Sequence, residues 1–288
     1  MNSIGVLHIR RVDVNEIEKM VANLCVDANC HLNPDVVKLI RDAAHHEASV
    51  VGVDILNQII ENSIIANNEE MPICQDTGFA IVFIYLGQDV LLTNGDLTEA
   101  VNKGVRLGYN KGYLRKSMVK DPLDRVNTED NTPAIIHLQI VPGDQIEITV
   151  APKGGGSENM STLKMLKPAD GEEGVKNFVL DSIKKAGSNP CPPVVVGIGI
   201  GGSMEQAALM SKHALIRPIG QKASDSSTAR LEGELLEAIN KTGIGPQGLG
   251  GHTTALAVHI ERFPTHIACL PVAINISCHA YRHKTGII

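Results

Sequence analysis

The segment of residues 192–202, PPVVVGIGIGG, indicates the class of the fold. Its apolar run, Val194 to Ile200, does not alternate with polar side chains, which is typical of a strand buried on both faces. The residues that follow, Ser203 to Lys212, have helical character, and Ser203 and Gln206 are spaced as in a capping box. A buried strand that leads into a helix indicates a sheet covered by helices.

Predicted helices and strands alternate on both sides of this stretch. In the second half we predict helices over 171–185 and 227–241 and strands over 253–260 and 267–276. In the first half we predict helices over 14–28, 35–67 (broken near Gly52) and 96–113, a strand over 81–86, and a hairpin that joins 134–141 to 145–150. This interleaving predicts an α/β (mixed α+β) class, with mixed sheets and flanking helices.

Length and composition narrow the classes of function. The 288 residues carry a net charge of -6 and only 3% aromatic side chains, which disfavours nucleic-acid binding. No apolar stretch reaches the roughly 20 residues of a membrane helix, and residues 1–14 lack a signal-peptide core. We therefore expect a cytoplasmic protein with no membrane partner. No linker divides the sequence, so we expect one domain, which could form lobes at about 1–150 and 151–288.

Three of the six cysteines stand in turn-forming contexts next to strand-like runs, namely Cys74, Cys191 and Cys278. Their separations are far larger than those of a zinc ribbon, so spacing alone does not establish metal binding. Cys269 falls in a predicted apolar strand and is expected to fill the core. Cys25 and Cys30 lie on the first helix, where a structural role is favoured over a ligand pair.

Other motifs are ambiguous when taken singly. Asp76 could transfer a proton, or it could simply form a turn in Asp-Thr-Gly. The Gly-rich segment 153–157 could bind an anion through its amides. Residues 197–202 match G-x-G-x-x-G, but no acidic residue follows at the end of a second strand, which argues against a dinucleotide site. His266 and Arg115 are, by type alone, ordinary surface residues.

Taken together, five motifs carry a resemblance. They are CQDTG at 74–78, KGGGS at 153–157, NPCPPVVVGIG at 189–199, GPQGLGG at 245–251 and SCHAYR at 277–282. As a set they resemble the N-terminal, cluster-binding part of the class I (iron–sulfur) fumarate hydratases, in particular the α subunit of the two-subunit form. The resemblance runs from about Ile17 to Arg282.

The resemblance implies a [4Fe–4S] cluster held by Cys74, Cys191 and Cys278, with one iron open to act as a Lewis acid. It implies that L-malate and fumarate plus water are interconverted, with Asp76 and His266 as catalytic residues. The substrate-binding residues implied by the same motifs are Gln75, Asp76, Arg115, Gly154, Gly155 and Gly156. An open iron further predicts sensitivity to oxygen.

Single-chain members of this family continue into a C-terminal domain with further substrate-binding residues, whereas this sequence ends at Ile288. We therefore expect a separate β subunit to complete the site, in an α2β2 assembly, and little hydratase activity without it. The close alternative is the α subunit of L(+)-tartrate dehydratase, although KGGGS and the Asn-Thr-Pro-Ala of residues 131–134 favour the fumarase branch. A non-catalytic zinc- or iron-binding redox sensor and a nucleotide-binding enzyme are the alternatives from other classes.

Overall fold

The computed structural model describes residues 9–288. Its strands are β1 (Arg10–Asp13), β2 (Phe79–Gly87), β3 (Val90–Thr93), β4 (Ile135–Val141), β5 (Ile146–Lys153), β6 (Thr162–Leu166), β7 (Val194–Gly201), β8 (Ala255–Phe263), β9 (Leu270–Ser277) and β10 (Lys284–Ile287). Its helices are α1 (Val14–Cys30), α2 (Pro34–His46), α3 (Val50–Glu69), α4 (Leu97–Lys111), α5 (Gly155–Glu158), α6 (Gly171–Ala186), α7 (Met204–His213) and α8 (Ser226–Asn240).

The chain divides into two compact units, each built from separate segments of sequence. The described part of unit 1 comprises residues 9–31, 66–153 and 282–288, and unit 2 comprises residues 32–65 and 154–281. Each unit packs helices on a mixed sheet, which confirms the predicted mixed α/β class. Within residues 9–288, no helix is both long and apolar enough to cross a membrane.

Unit 1 is organised around a four-stranded sheet in the order β10-β5-β2-β4, with β1 and β3 paired separately in parallel. Helices α1 and α4 pack against each other, and glycines on α4 allow the close approach. A Cβ on Gly104 would lie 2.6 Å from the carbonyl oxygen of Glu18, and one on Gly108 would lie 2.6 Å from that of Ala22. The core contains apolar side chains from both helices and from the central strands.

The predicted hairpin between residues 134–141 and 145–150 is wrong, because β2 lies between its two strands. Strand β2 pairs in parallel with β4 and antiparallel with β5. The turn wraps around the end of β2, where the Gly87 amide donates to the carbonyl of Gln145 at 2.8 Å. A Cβ on Gly87 would lie 2.4 Å from the carbonyl oxygen of Gly143, so a glycine is required at this point.

Unit 2 contains a second four-stranded sheet in the order β6-β9-β7-β8. Strand β7 pairs in parallel with β8 and antiparallel with β9, and every residue of it except Ile200 is buried, as the apolar run predicts. A Cβ on Gly197 would lie 2.1 Å from the carbonyl oxygen of Ser211, and one on Gly199 would lie 2.1 Å from that of Ala207. These glycines of the G-x-G-x-x-G match therefore let α7 pack closely on the strand.

Two local predictions in unit 2 are wrong. The Ser203 side chain makes no capping hydrogen bond to α7, because its hydroxyl donates to Glu205 at 2.6 Å instead. Cys269 precedes β9 rather than lying within it, and the nearby Ile267 is 91% exposed. The apolar residues around Cys269 therefore belong to a surface turn, in which the cysteine is half-buried.

Candidate active site

In unit 1, the CQDTG motif forms a loop between α3 and β2. The Cys74 thiol is half-buried and donates to Gln75 Oε1 at 3.3 Å, and the Gln75 side chain is exposed. Asp76 is half-buried, and its Oδ1 accepts a hydrogen bond from the Gly78 amide at 3.0 Å. Asp76 thus forms the turn that Asp-Thr-Gly predicts, and this bond fixes the orientation of its carboxylate.

The loop is fixed to the sheet at Gly78. Its φ of +70° is a conformation that favours glycine. A Cβ there would lie 2.5 Å from backbone atoms of Lys153, which ends β5. The backbone of the motif therefore lies directly against β5, and no other residue type fits at this position.

Arg115 lies on the irregular segment that follows α4, and its side chain is exposed. Thr77 Oγ1 donates to the carbonyl oxygen of Arg115 at 3.1 Å, so this segment is hydrogen-bonded to the Asp76 loop. Unit 1 thus brings the predicted substrate-binding residues Gln75, Asp76 and Arg115 onto two joined segments. An exposed guanidinium on such a segment is suited to bidentate binding of a carboxylate.

In unit 2, Cys191 and Cys278 lie on segments that contact each other. Cys191 is exposed and has a φ of +56°, and Cys278 is half-buried at the end of β9. The amide of His279 donates to the carbonyl oxygen of Cys191 at 3.3 Å, and His279 Nδ1 lies 3.1 Å from the same oxygen. Backbone contact between the two cysteine segments is therefore direct.

The Gly-rich segment 243–251 supports this arrangement. The Gln247 side chain donates to the carbonyl oxygen of Pro192 at 2.8 Å, and its Nε2 lies 3.1 Å from His279 Nδ1. The far end of the segment is held by Glu47, whose carboxylate is buried and accepts hydrogen bonds from the amides of His252 and Thr253 at 2.7–2.9 Å.

Glu47 remains ionised in this setting. Burial alone would raise its pKa, but the backbone hydrogen bonds from His252, Ser49 and Thr253 outweigh that effect and lower the pKa to about 2. A Cβ on Gly251 would lie 2.7 Å from Glu47 Oε1, so the backbone passes very close to the carboxylate.

The glycines of KGGGS that belong to unit 2 begin α5. Gly154 is the N-cap of this short helix, and Gly156 is exposed. A Cβ on Gly156 would lie 3.6 Å from the carbonyl oxygen of Asn189, two residues before Cys191. The structure therefore places the Gly-rich turn beside the Cys191 segment.

His266 is exposed and lies four residues before β9, whereas Cys278 lies directly after that strand. An eight-residue strand is about 26 Å long. Within one copy of the chain the two side chains are therefore at opposite ends of β9. His266 instead borders a cavity of about 420 Å³ that Cys269 and Arg262 also line.

The cysteines differ in how accessible their thiols are to a metal cluster. Cys25 and Cys30 are fully buried, and burial raises the pKa of the Cys25 thiol to about 12. Burial, with the charges of Glu70 and Asp27, raises that of Cys30 to about 11. These two thiols fill the core, as expected from their helix.

Cys74, Cys191 and Cys278 are reachable thiols outside any disulfide, each on an irregular segment between regular elements, and this donor chemistry fits an iron–sulfur cluster. Among residues 9–288, no group of three or more His, Cys, Asp or Glu side chains is arranged to hold a metal ion.

Several residues that shape these loops were not expected from the sequence. Tyr109 and Asn131 make hydrogen bonds to the CQDTG loop in unit 1, and Glu47, Gln247 and His279 support the Cys191 segment in unit 2. Asn131, Gln247 and His279 lie inside quoted motifs, which was the signal available for them.

The family model described as fumarate hydratase (Fumerase) matches residues 18–287. The putative L(+)-tartrate dehydratase subunit alpha of Methanocaldococcus jannaschii is 45% identical over 273 residues, 93% of this chain and 95% of the relative. The L(+)-tartrate dehydratase subunit alpha of Escherichia coli K12 is 36% identical over 279 residues, 96% of this chain and 91% of the relative. The chain therefore belongs to the fumarate hydratase (Fumerase) family.

Proposed function

We propose that this chain is the α subunit of an iron–sulfur hydro-lyase that interconverts L-malate with fumarate and water, and that a β subunit completes its active site. The observation that carries the proposal is the family match over residues 18–287, which includes every proposed site residue. The names of the relatives designate alpha subunits, which supports the partner. We propose an α2β2 assembly.

The proposed cluster ligands are Cys74, Cys191 and Cys278, the three reachable cysteines within the family motifs. When bound by three thiolates, a [4Fe–4S] cluster leaves one iron able to polarise a hydroxyl group as a Lewis acid. The reaction itself is not a redox step. Dehydration removes the C2 hydroxyl group and one C3 proton of L-malate, and hydration returns them.

The other residues orient the substrate and move the proton. We assign Arg115 to one substrate carboxylate, because its exposed guanidinium suits bidentate binding. We assign Gln75 to a second polar contact and the backbone of Gly154, Gly155 and Gly156 to an anionic group, since these glycines match the segment that contacts the substrate in the family. Asp76, oriented by the Gly78 amide, is the proposed proton-transfer residue.

The assignment of His266 as a catalytic residue stays a prediction from the family resemblance. The length of β9 separates it from Cys278 in its own chain. If His266 acts in catalysis, it would act at a site to which another copy of the chain contributes. A mixture of two inactive variants, His266→Ala and Asp76→Asn, would then recover activity in hybrid assemblies.

A second candidate substrate is L(+)-tartrate, and the names of both relatives favour it. Tartrate carries a hydroxyl group on C3 where malate carries hydrogen. The same residues could therefore act on it, and the difference lies in whether the pocket pairs that added hydroxyl with a polar group.

The decisive experiment measures iron, acid-labile sulfide and turnover in the α–β complex purified without oxygen. We expect roughly four iron and four sulfide per α chain, turnover of L-malate well above that of L(+)-tartrate, and loss of activity in air. The α chain alone should hold the cluster with little activity. Zinc without sulfide would contradict the proposal, and a preference for tartrate would replace the substrate.

A matched pair of variants tests the ligands. Cys278→Ser and Cys269→Ser both change a half-buried cysteine of unit 2 next to β9. We expect the first to lose iron and activity and the second to keep both. Equal iron content in the two variants would remove Cys278 from the ligand set.

A further inference from the structure

Helix α4 is the element to which both segments of the candidate site in unit 1 are tied. Asn102, Arg106 and Tyr109 follow one another at helical spacing and so lie on one face of the helix. The Tyr109 hydroxyl is fully buried and lies 3.0 Å from the carbonyl oxygens of both Thr77 and Gly78. The CQDTG loop is thus anchored to the helix directly.

The same face of α4 anchors residues 130–134. Arg106 Nε donates to Asp130 Oδ2 at 2.8 Å, and the Ala134 amide donates to Asn102 Oδ1 at 2.9 Å. Burial alone would raise the pKa of Asp130, but hydrogen bonds from Arg106 and Thr132 outweigh it and lower the pKa to about 2. The segment is therefore held at both ends, with Asn131 between them.

Asn131 hydrogen-bonds to both segments of the candidate site. Its side chain is fully buried, and its Nδ2 donates to the carbonyl oxygen of Gly78 at 3.2 Å. Its Oδ1 accepts hydrogen bonds from the amides of Ser117 at 2.7 Å and Met118 at 3.2 Å. One amide group thus joins the loop that carries Asp76 to the segment that carries Arg115.

We propose that Asn131 is a positioning residue that sets the distance between Asp76 and Arg115 in the hydro-lyase site. This inference rests on the proposed function. Both joined segments lack regular secondary structure, so their spacing depends on such side-chain bonds. An amide suits the role because it supplies a donor and an acceptor at once, whereas a carboxylate would repel the Gly78 carbonyl.

The φ of Asn131 is +63°, so glycine can replace it without straining the backbone. Asn131→Gly therefore removes the three hydrogen bonds without straining the backbone, and it leaves a small space where the buried side chain lay. Asn94 offers a matched control in the same unit: its φ is +65°, and its exposed side chain donates to Asp13 at 2.8 Å, away from both segments. Asn131→Asp keeps the acceptor to Ser117 and Met118 but loses the donor to Gly78.

In the α–β complex we expect Asn131→Gly to lower kcat/KM for L-malate at least about tenfold, with much of the loss in KM, because Arg115 is displaced relative to Asp76. Asn131→Asp should fall between it and the wild type, and Asn94→Gly should match the wild type. Hydrogen exchange of the amides at 77–80 and 117–118 should be faster in Asn131→Gly than in Asn94→Gly.

The outcomes separate this inference from the proposed function. Wild-type turnover with equal kinetics in Asn131→Gly and Asn94→Gly would overturn the positioning role and leave the proposed function intact. If the wild-type complex turns over neither malate nor tartrate, the proposed function fails, and amide exchange alone then decides the coupling. Faster exchange at both segments supports the role of Asn131, and unchanged exchange overturns it.

Discussion

The two units hold their loops with different chemistry. In unit 1, a neutral phenol and a neutral amide, Tyr109 and Asn131, hold the loop that carries Asp76. In unit 2, a buried carboxylate, Glu47, holds the end of the Gly-rich segment that carries Gln247. Both devices satisfy backbone groups that would otherwise be buried without partners.

The difference matters because the hydrogen bonds in the two units depend differently on pH. Burial raises the pKa of Tyr109 well above its usual value, so its hydroxyl stays protonated, and the Asn131 amide does not titrate. Glu47 accepts its hydrogen bonds as a carboxylate and would lose part of this bonding on protonation. The hydrogen bonds of Tyr109 and Asn131 themselves are therefore insensitive to acid, whereas the charged hydrogen bonds of Glu47 are stronger but sensitive to acid. The Asp130 carboxylate beside Asn131, whose pKa is lowered to about 2, shares the sensitivity of Glu47.

The largest expected effect is that of Glu47→Ala, which leaves the amides of Ser49, His252 and Thr253 without their acceptor. A hydrogen bond to a charged group contributes about 1.5–3 kcal/mol, and of these three bonds only that of Thr253 is fully buried. We therefore expect the free energy of unfolding at pH 7 to fall by about 3–5 kcal/mol. Urea unfolding measures this change. Glu237→Ala, which removes an exposed partner of Lys241, should cost below about 0.5 kcal/mol. Equal losses in the two variants would refute the role of Glu47.

The next effect is the dependence of stability on pH. The pKa of Glu47 is lowered from 4.5 to about 2 in the folded chain, so its contribution is complete above about pH 4.5 and is lost as the pH falls toward 2. Because the side chain is only 8% exposed, we expect about 2–3 kcal/mol over this window. The difference in unfolding free energy between the wild type and Glu47→Gln, measured from pH 6 to 2.5, should shrink accordingly. A constant difference would contradict the assignment.

A smaller effect is expected for Tyr109→Phe. The variant removes one hydroxyl from the carbonyls of Thr77 and Gly78 and keeps the aromatic ring in the core, so the cost should be about 1–2 kcal/mol. In contrast to Glu47→Gln, this loss should be the same at pH 6 and pH 3. Urea unfolding at the two pH values tests both statements, and a loss that depends on pH would show that Tyr109 acts through a titrating neighbour.

The sequence predicted correctly those elements that the local pattern of apolar residues determines. The apolar run of β7 predicted a strand buried on both faces, and the helical spacing of residues 14–28 predicted α1. The hairpin prediction failed because residues 134–150 carry the same alternation whether their strands pair with each other or with β2. Whether two neighbouring strands pair depends on whether a third strand, here β2, lies between them. A short stretch of sequence does not contain that information.

The residues that hold the loops could not be predicted for a similar reason, because their partners are distant in the sequence. Glu47 and Thr253 are 206 residues apart, and Asn131 and Gly78 are 53 apart. Glu47 left no local sign either, because the break between α2, which ends at His46, and α3, which begins at Val50, contains no glycine or proline. The sequence placed this helix break near Gly52, because a glycine is the usual local cause.

The smallest expected effect is that of Thr77→Val, which tests whether the Thr77 and Asn131 hydrogen bonds of unit 1 act together. Thr77→Val removes the one hydroxyl that donates to the Arg115 carbonyl and preserves the buried shape of the side chain, which is only 1% exposed. We expect a loss of about 0.5–1.5 kcal/mol. If the Thr77 and Asn131 bonds act together in joining the two segments, the double variant with Asn131→Gly should lose a different amount than the two single losses combined. Strictly additive losses of unfolding free energy in urea would mean that each bond stabilises its own segment and that the two bonds do not act together in joining the segments.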